Sequence, residues 1–473
     1  MCTRASWDGA ASRSSPALLP AMAAATVAAT VTLPPHILEI IHRLHQAGHQ
    51  AFLAGGSVRD HLLERESKDH DIATSATPPQ IAALFPGSQL VGAHFGVIIV
   101  PAAGRRWVEV ATFRTDGSYG DGRRPQSVTF SSPEEDARRR DFTINGLFFD
   151  PESGTLIDHV GGQADLRARV VRAIGDPAAR FTEDHLRLLR AVRFAATLEF
   201  EIEPATWDAM RACAPLIAQI SPERVRDELD RLWLSPQRVR GFDLLVDSGL
   251  MAQVLPEIMT LQGCDQPPQF HPEGDVFVHT RLMLSLLPAD ASLPLVLSVL
   301  FHDIAKPATR TVDADTGRIR FNGHDKLGAE MTDAILRRLK YPNEIIEAVT
   351  AAVANHMHFI GVQQMRTATL KRFLARPHIE DELALHRVDC LGSNGLLDNY
   401  EFLQEKRAEF ATAAQPLIPP PLLTGRDLIA LGWTPGPHFT GVLHTAQTLQ
   451  LEGTLTTKEE ALAWAREHRP GEG

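Results

Sequence analysis

Apolar positions recur three and four apart at Ile37, Ile40, Ile41 and Leu44 in HILEIIHRLHQAGH, and Gly48 closes the run. This predicts an amphipathic helix with a glycine cap. QAFLAGGSVRDHLL then reads as strand, glycine turn and helix. DHDIATS reads as a second strand, and FGVIIV with RRWVEVATF as a hairpin around Pro101–Gly104. A polar loop, RTDGSYGDGRRPQS (114–127), follows. Beyond FFDPESGTLIDHVGG strand signals nearly vanish, and from Asp165 to about Arg407 the pattern is helical, broken by joints such as GCDQPPQFHPEGD (263–275). AAQPLIPPPLLTG (413–425) is a linker before a short helical end. The expected fold class is α+β: a tail over 1–35, a small sheet head over 36–152, and a helical body divided at 153–265, 266–400 and 401–473.

One stretch breaks the usual amphipathic pattern. FTEDHLRLLRAVRF (181–194) has no Gly or Pro and is predicted to be one continuous helix with three stripes. Leu186, Leu189 and Val192 form one apolar stripe, and Leu188, Ala191 and Phe194 another. Arg187, Arg190 and Arg193 form the third, headed by Glu183 and Asp184. Two apolar stripes imply a helix packed over most of its circumference, so its arginines need a purpose beyond solubility.

Composition narrows the field. The chain has 473 residues, 44% hydrophobic and 22% charged, with a formal net charge of -11, which argues against a whole surface built for nucleic acid. Cys2, Cys213, Cys264 and Cys390 are scattered without a CxxC, in keeping with a reduced, cytoplasmic protein. The Ala/Ser/Thr-rich start is too weakly apolar for a signal peptide, and no run of 18 apolar residues suggests a membrane span.

Within the head, Asp69 and Asp71 are two apart on the second expected strand, which puts both carboxylates on one face about 6.6 Å apart. Such a pair also fits a solvated surface, but its neighbours add to it. Gly55 and Gly56 allow a backbone to approach a phosphate closely, and Arg59 supplies charge. Glu109 lies between valines, where an unpaired carboxylate is costly. Hard oxygen ligands at this spacing suit Mg²⁺ and phosphoryl transfer.

LAGGSVRDHLLERESKDHDIATSATP together with RRRDFTINGLFFD (138–150) resembles the class II tRNA nucleotidyltransferase/poly(A) polymerase family of the polymerase β superfamily. The resemblance implies that Gly56 and Arg59 bind a nucleoside triphosphate and that Asp69 and Asp71 hold Mg²⁺. Arg140 and Asp141 would open a second motif, with Arg140 on the nucleotide and Asn145 inside the same helix; Glu109 would be a third catalytic carboxylate. The family's EDxxR motif matches Glu183, Asp184 and Arg187. Cytosine and adenine each present an amine beside an unprotonated ring nitrogen, whereas uracil and guanine present a carbonyl beside a ring N–H. An acceptor-only Asp with a donor-only Arg therefore matches C and A and opposes U and G. Arg190 and Arg193 can then meet triphosphate or RNA, and Arg167, Arg169, Arg172 and Arg180 form a basic strip for an acceptor backbone.

Further along, the order His279, His302–Asp303, His324, His356, Asp389 resembles metal-dependent HD phosphohydrolases, for one or two ions of Mn, Fe, Ni or Zn. The expected activity is Mg²⁺-dependent addition of C, C and A to a tRNA 3′ end from CTP and ATP, releasing pyrophosphate. A poly(A) polymerase, a CC-only or A-only enzyme, and an HD hydrolase of RNA ends are the alternatives. Ala93, His94 and Gly96 stand where the poly(A) branch tends to carry basic residues, and the loop 114–127 is longer than in CC-only enzymes.

Overall fold

The computed structural model describes residues 33–67, 69–90, 96–103, 106–117, 122, 127–412 and 416–469. Residues 1–32 of the expected tail, Ala93 and His94, and 118–121 and 123–126 of the polar loop lie outside them. The chain divides into two compact units: one holds residues up to 93, 97–112 and 148–157, the other 94–96, 113–147 and 158–473.

The first unit is a six-stranded sheet. Its strands are β1 (Ala51–Ala54), β2 (Asp71–Thr74), β3 (Val97–Ala102), β4 (Arg106–Thr112), β5 (Leu147–Asp150) and β6 (Thr155–Asp158), in the order β3-β4-β2-β1-β5-β6. β2 and β4 run parallel; β1 is antiparallel to β2 and β5, and β3 to β4, as the expected hairpin requires. Helix α1 (Pro35–Gln46) buries Ile37, Ile40, Ile41 and Leu44, the four positions its periodicity marks. Between β1 and helix α2 (Gly56–Leu62), Gly55 takes φ 69° and ψ -129°, a conformation open to glycine and strained for any other residue.

The second unit is helical, with strands of only two or three residues among the described positions. It begins with α3 (Pro133–Arg139), α4 (Pro177–Glu183), α5 (Arg187–Leu198), α6 (Pro222–Trp233) and α7 (Arg238–Asp247). α5 packs on α6 and α7 and buries Leu188, Leu189, Ala191, Val192 and Phe194, so both apolar stripes are used. α6 and α7 approach closely at Gly241, where a Cβ would lie 2.4 Å from Leu232 Cδ1. Then come α8 (Val276–Leu286), α9 (Leu293–Phe301), α10 (His324–Arg338), α11 (Asn343–Asn355) and α12 (Ile379–Gly392). The stretch Asn343–Gln364, α11 with the short 3₁₀ segment after it, has the length and apolarity of a membrane span. Its apolar positions Ile346, Val349, Ala352 and Val353 are instead buried in the body, against α9, α10 and α12. The last helices, Gly425–Ala430, His438–Leu451 and Lys458–Glu467, enclose a small core around Leu428, Trp433 and Ala461.

Two expected elements are corrected. The helix foreseen over 181–194 is broken: α4 ends at Glu183, Asp184 is extended (φ -136°, ψ 103°), and α5 starts at Arg187. The reason lies in Asp184, whose Oδ1 accepts from Leu186 N at 3.2 Å while its carbonyl accepts from Arg187 N. A short carboxylate that can satisfy free N–H groups starts a helix more readily than it continues one. Asn145 is likewise not in the helix that leads to Arg140. α3 stops there, and Asn145 lies in a separate 3₁₀ turn, Thr143–Asn145.

Candidate functional site

In the sheet unit the register does the assembling. Ile72 on β2 faces Val110 on parallel β4, so Asp71 and Glu109, each one residue earlier, stand side by side. Ile72 and Val110 are buried, and Asp71 and Glu109 are exposed on the opposite face. Glu109 is thus not enclosed among valines as its sequence neighbours suggest, because strand alternation sends Val108 and Val110 inward and Glu109 out. Asp69 lies just ahead of β2 and is also exposed. On the other side of Asp71, Ala54 is its partner on β1, which brings the Gly55–Gly56 turn alongside. Arg59 is buried and pairs with Asp60 at 2.7 Å. Like charges on adjacent strands repel, and an oxygen-only set of exposed carboxylates fits a hard divalent cation such as Mg²⁺.

The helical unit carries the arginine ladder, and every rung has a carboxylate. Arg187 is buried and donates to Glu183 Oε2 (2.8 Å), Arg180 O (3.0 Å) and Arg139 O (3.1 Å). Arg190 pairs with Asp141 at 2.7 Å, and Arg193 with Glu228 at 2.6 Å. Burial alone would raise the Asp141 carboxyl, but Arg190 and the Asn145 amide (3.0 Å) hold it well below the usual range. Arg140 closes on Asp136 at 3.0 Å and on Asn145 O. Asp184 keeps Oδ2 directed at Arg224, 3.5 Å away, and Arg224 Nη1 is buried with no hydrogen-bond partner. Gly122, from the polar loop, accepts from His185 N at 3.1 Å, one residue past Asp184.

Sequence spacing did not reveal Arg224, Glu228 or the Asp141–Arg190 pair, whose members lie 35 to 49 residues apart. The basic strip is also less free than expected. Arg172, though exposed, bridges Asp165 and Glu203, and Arg180 pairs with Glu183, which leaves Arg167 and Arg169 as the exposed members outside any ion pair among the described residues.

A second centre lies in the body, where His279, His302, Asp303, His324 and His356 are all buried and Asp389 is partly so. The His302–Asp303 doublet sits just past the end of α9 rather than within it. Three of the imidazoles direct Nδ1 at a backbone carbonyl three residues back: His302 at Val299, His324 at Phe321 and His356 at Val353. Their Nε2 atoms then carry lone pairs. His324 Nε2 and His356 Nε2 are 3.0 Å apart, and His302 Nε2 is 3.0 Å from Asp303 Oδ2. Nε2 of His279 lies 3.1 Å from Asp389, and neither it nor His302 Nε2 has a hydrogen bond of good geometry. Lone pairs and carboxylates crowded together in a buried site call for a cation, and the donor set fits a borderline divalent metal. Asp303 faces both the His279–His302 and the His324–His356 sides. Lys306, unmarked by the sequence reading, lies 2.6 Å from its Oδ2. Burial resists charge on Asp303, but His302 and Lys306 hold it well below its ordinary range; burial pushes His356 down to about 4. A cavity of about 950 Å³ opens onto Asp303, His324, His356 and Asp389, and Lys306, Arg318 and Arg320 also line it.

A poly A polymerase head domain model matches residues 51–172, a probable RNA and SrmB-binding site of polymerase A 199–261, and an HD domain 276–389. The A-adding tRNA nucleotidyltransferase of Deinococcus radiodurans is 37% identical over 440 residues, 88% of this chain and 96% of that protein. The chain belongs to the tRNA nucleotidyltransferase/poly(A) polymerase family. Among the family's CCA-adding enzymes, that of Geobacillus stearothermophilus is 47% identical over 216 residues, 46% of this chain. The match spans about half (53%) of that relative's length. The crystal structure of the Bacillus stearothermophilus CCA-adding enzyme in complex with CTP superposes with a TM-score of 0.71 at 29% identity, covering 92% of this chain and 98% of that one. This nucleotidyltransferase therefore has the family's α+β head and helical body, with an HD domain in the body.

Proposed function

We propose that this nucleotidyltransferase completes the 3′ end of tRNA, adding C, C and A in turn from CTP and ATP and releasing pyrophosphate. The observation that carries the reading is the Asp71–Glu109 register beside the Gly55–Gly56 turn, with Asp69 just ahead. Mg²⁺ held by Asp69 and Asp71 would lower the pKa of the attacking tRNA hydroxyl and neutralise triphosphate charge. Glu109 adds a third carboxylate to that face. The glycine turn lets the backbone approach the triphosphate, with Arg59 supplying charge nearby. In the helical unit, Asp184 and Arg187 present an acceptor and a donor to the base, which favours C and A over U and G. Glu183 and two backbone carbonyls hold Arg187, so its guanidinium is set before the nucleotide arrives. Arg140, Asp141, Asn145, Arg190 and Arg193 stiffen that surface through ion pairs and, at Asn145, hydrogen bonds, and Arg167 and Arg169 offer charge to the acceptor RNA.

One observation favours a second reading, A-only addition: a relative matched over 96% of its length is an A-adding enzyme, whereas the sequence match to the G. stearothermophilus CCA-adding relative covers half its length. A single experiment separates the two. Transfer RNA ending at the discriminator base and tRNA already ending in CC are each incubated with CTP, ATP or both, and the product ends are sequenced. CCA on the first substrate supports the proposal. Extension of the second alone, by A, overturns it in favour of A addition. Failure on both overturns the family-level activity.

The HD centre supports metal-dependent hydrolysis of a phosphate ester, with His279, His302, Asp303, His324, His356 and Asp389 as ligands. Phosphate release lost in Asp303→Asn supports this role, and retained release removes it.

A further inference from the structure

The histidine–aspartate centre is asymmetric. Backbone carbonyls three residues back fix His302, His324 and His356, an arrangement local geometry supplies without further side chains. His279 has no such contact. Its Nδ1 meets Glu273 Oε1 at 2.6 Å, from the loop that leads into α8. The same oxygen lies 2.9 Å from His271 Nδ1, and the His271 ring stands edge-on to His279 with centroids 5.0 Å apart. Glu273 is itself buried (8% side-chain exposure), and its Oε2 has no hydrogen-bond partner. A buried carboxylate persists only where something compensates it, and the compensating donors here are two imidazoles.

The loop that carries Glu273 is tied down at several points. Asp275 caps α8 through Val278 N and accepts from Gly263 N with its other oxygen. Val276 N donates to Cys264 O, and Lys306 Nζ donates to Gln266 Oε1. Glu273 is therefore held against His279 by covalent and polar constraints on both sides, not by chance contact of a mobile side chain.

Resting on the metal-centre reading above, we infer that Glu273 is a positioning residue for a divalent cation bound through His279 and Asp389. With Nδ1–H donated to a carboxylate, His279 is confined to the tautomer whose Nε2 lone pair points at the cation. A carboxylate partner also makes that nitrogen a stronger donor than a carbonyl partner can. The ion on the His279–Asp389 side is then held more tightly than charge and distance at Nε2 alone would give. His271 shares the oxygen and keeps Glu273 in place.

The test uses full-length, metal-stripped protein and Co²⁺ as the probe, followed by its visible ligand-field absorption and by calorimetry. Wild type, His302→Ala, Glu273→Ala and Glu273→Gln are compared, with circular dichroism of each metal-free form as the check on folding. Loss of a carboxylate behind a ligating histidine costs about ten- to a hundredfold in affinity. That loss is expected in Glu273→Ala, with partial recovery in Glu273→Gln, which keeps the volume and an acceptor oxygen, and with an altered cobalt spectrum in both. Wild-type affinity and spectrum in Glu273→Gln, or in a folded Glu273→Ala, overturn the inference. Equal, weak cobalt binding by wild type and His302→Ala overturns the metal-centre reading itself, and the Glu273 role with it.

Discussion

Asp184 serves two functions at once, and substitution can part them. Its carboxylate accepts from Leu186 N in the turn that leads into α5, and it is the proposed acceptor for the base amine. Asn caps a helix as well as Asp does, whereas Ala does not. Asp184→Asn is therefore expected to keep the stability of the wild type while placing an N–H₂ where an acceptor stood. Incorporation should shift from CTP and ATP towards UTP and GTP, measured nucleotide by nucleotide on tRNA lacking its last three residues. Asp184→Ala should lose about 1 kcal/mol of stability as well. Unchanged base preference in both variants removes the template role. Asp71→Ala addresses the chemistry alone: loss of a ligand that holds phosphoryl charge removes several kcal/mol of transition-state stabilisation, on the order of a 10³-fold drop in rate. Folding should be intact, since Asp71 is exposed at a strand start. At this scale the chain was readable where spacing along one element decides burial, as with the two apolar stripes that flank the arginines. It was unreadable where partners are remote: Arg224 lies 40 residues from Asp184, and no local pattern joins them.

Elements were legible where periodicity was strong and illegible where one side chain overrode it. The four buried apolar positions of α1 follow from spacing, and so does the β3–β4 hairpin. The single helix expected across Asp184 failed because periodicity reports faces, not continuity, and a capping carboxylate can interrupt a run without changing its stripes. Glu109 was misplaced for a related reason: flanking valines were read as surroundings, although on a strand they point to the opposite face. Two element-level predictions follow from packing. Gly241 lies where α6 and α7 touch, so Gly241→Ala forces Leu232 to move and is expected to destabilise by about 1–3 kcal/mol, read from urea unfolding. Asp230 on α6 accepts from the Tyr341 hydroxyl in the turn between α10 and α11. Burial pushes the Asp230 carboxyl up to about 6. A carboxyl raised on folding contributes stability that is complete below its unfolded value, near 4, and is lost as pH rises through about 6. Wild type should therefore lose stability over that interval relative to Asp230→Asn. Parallel urea midpoints for the two proteins from pH 4 to 7 would exclude the effect.

On the scale of the whole molecule, one chain carries two centres built from different donors, and that difference is testable as metal selectivity. The head offers only carboxylates: Asp69 and Asp71, with Glu109 beside them. The body offers four imidazoles, with Asp303 and Asp389. Hard oxygen sets suit Mg²⁺, while imidazole-rich sets favour transition ions by the Irving–Williams order. The body set is also largely buried and fixed in orientation, so binding would cost it little reorganisation, whereas the exposed head set would share a cation with substrate phosphates and water. Stripping the protein of metal should abolish both activities. Adding back Mg²⁺ alone is then expected to restore nucleotide addition to tRNA while release of phosphate from a model phosphomonoester stays low. Micromolar Mn²⁺, Co²⁺ or Ni²⁺ added on top should restore that second activity. The separation rests on donor chemistry alone, so it holds whether the head adds CCA or only A. Recovery of phosphate release with Mg²⁺ alone would mean that the histidines do not select the ion, and the lone pairs converging between His324 and His356 would then need a proton, not a metal, between them.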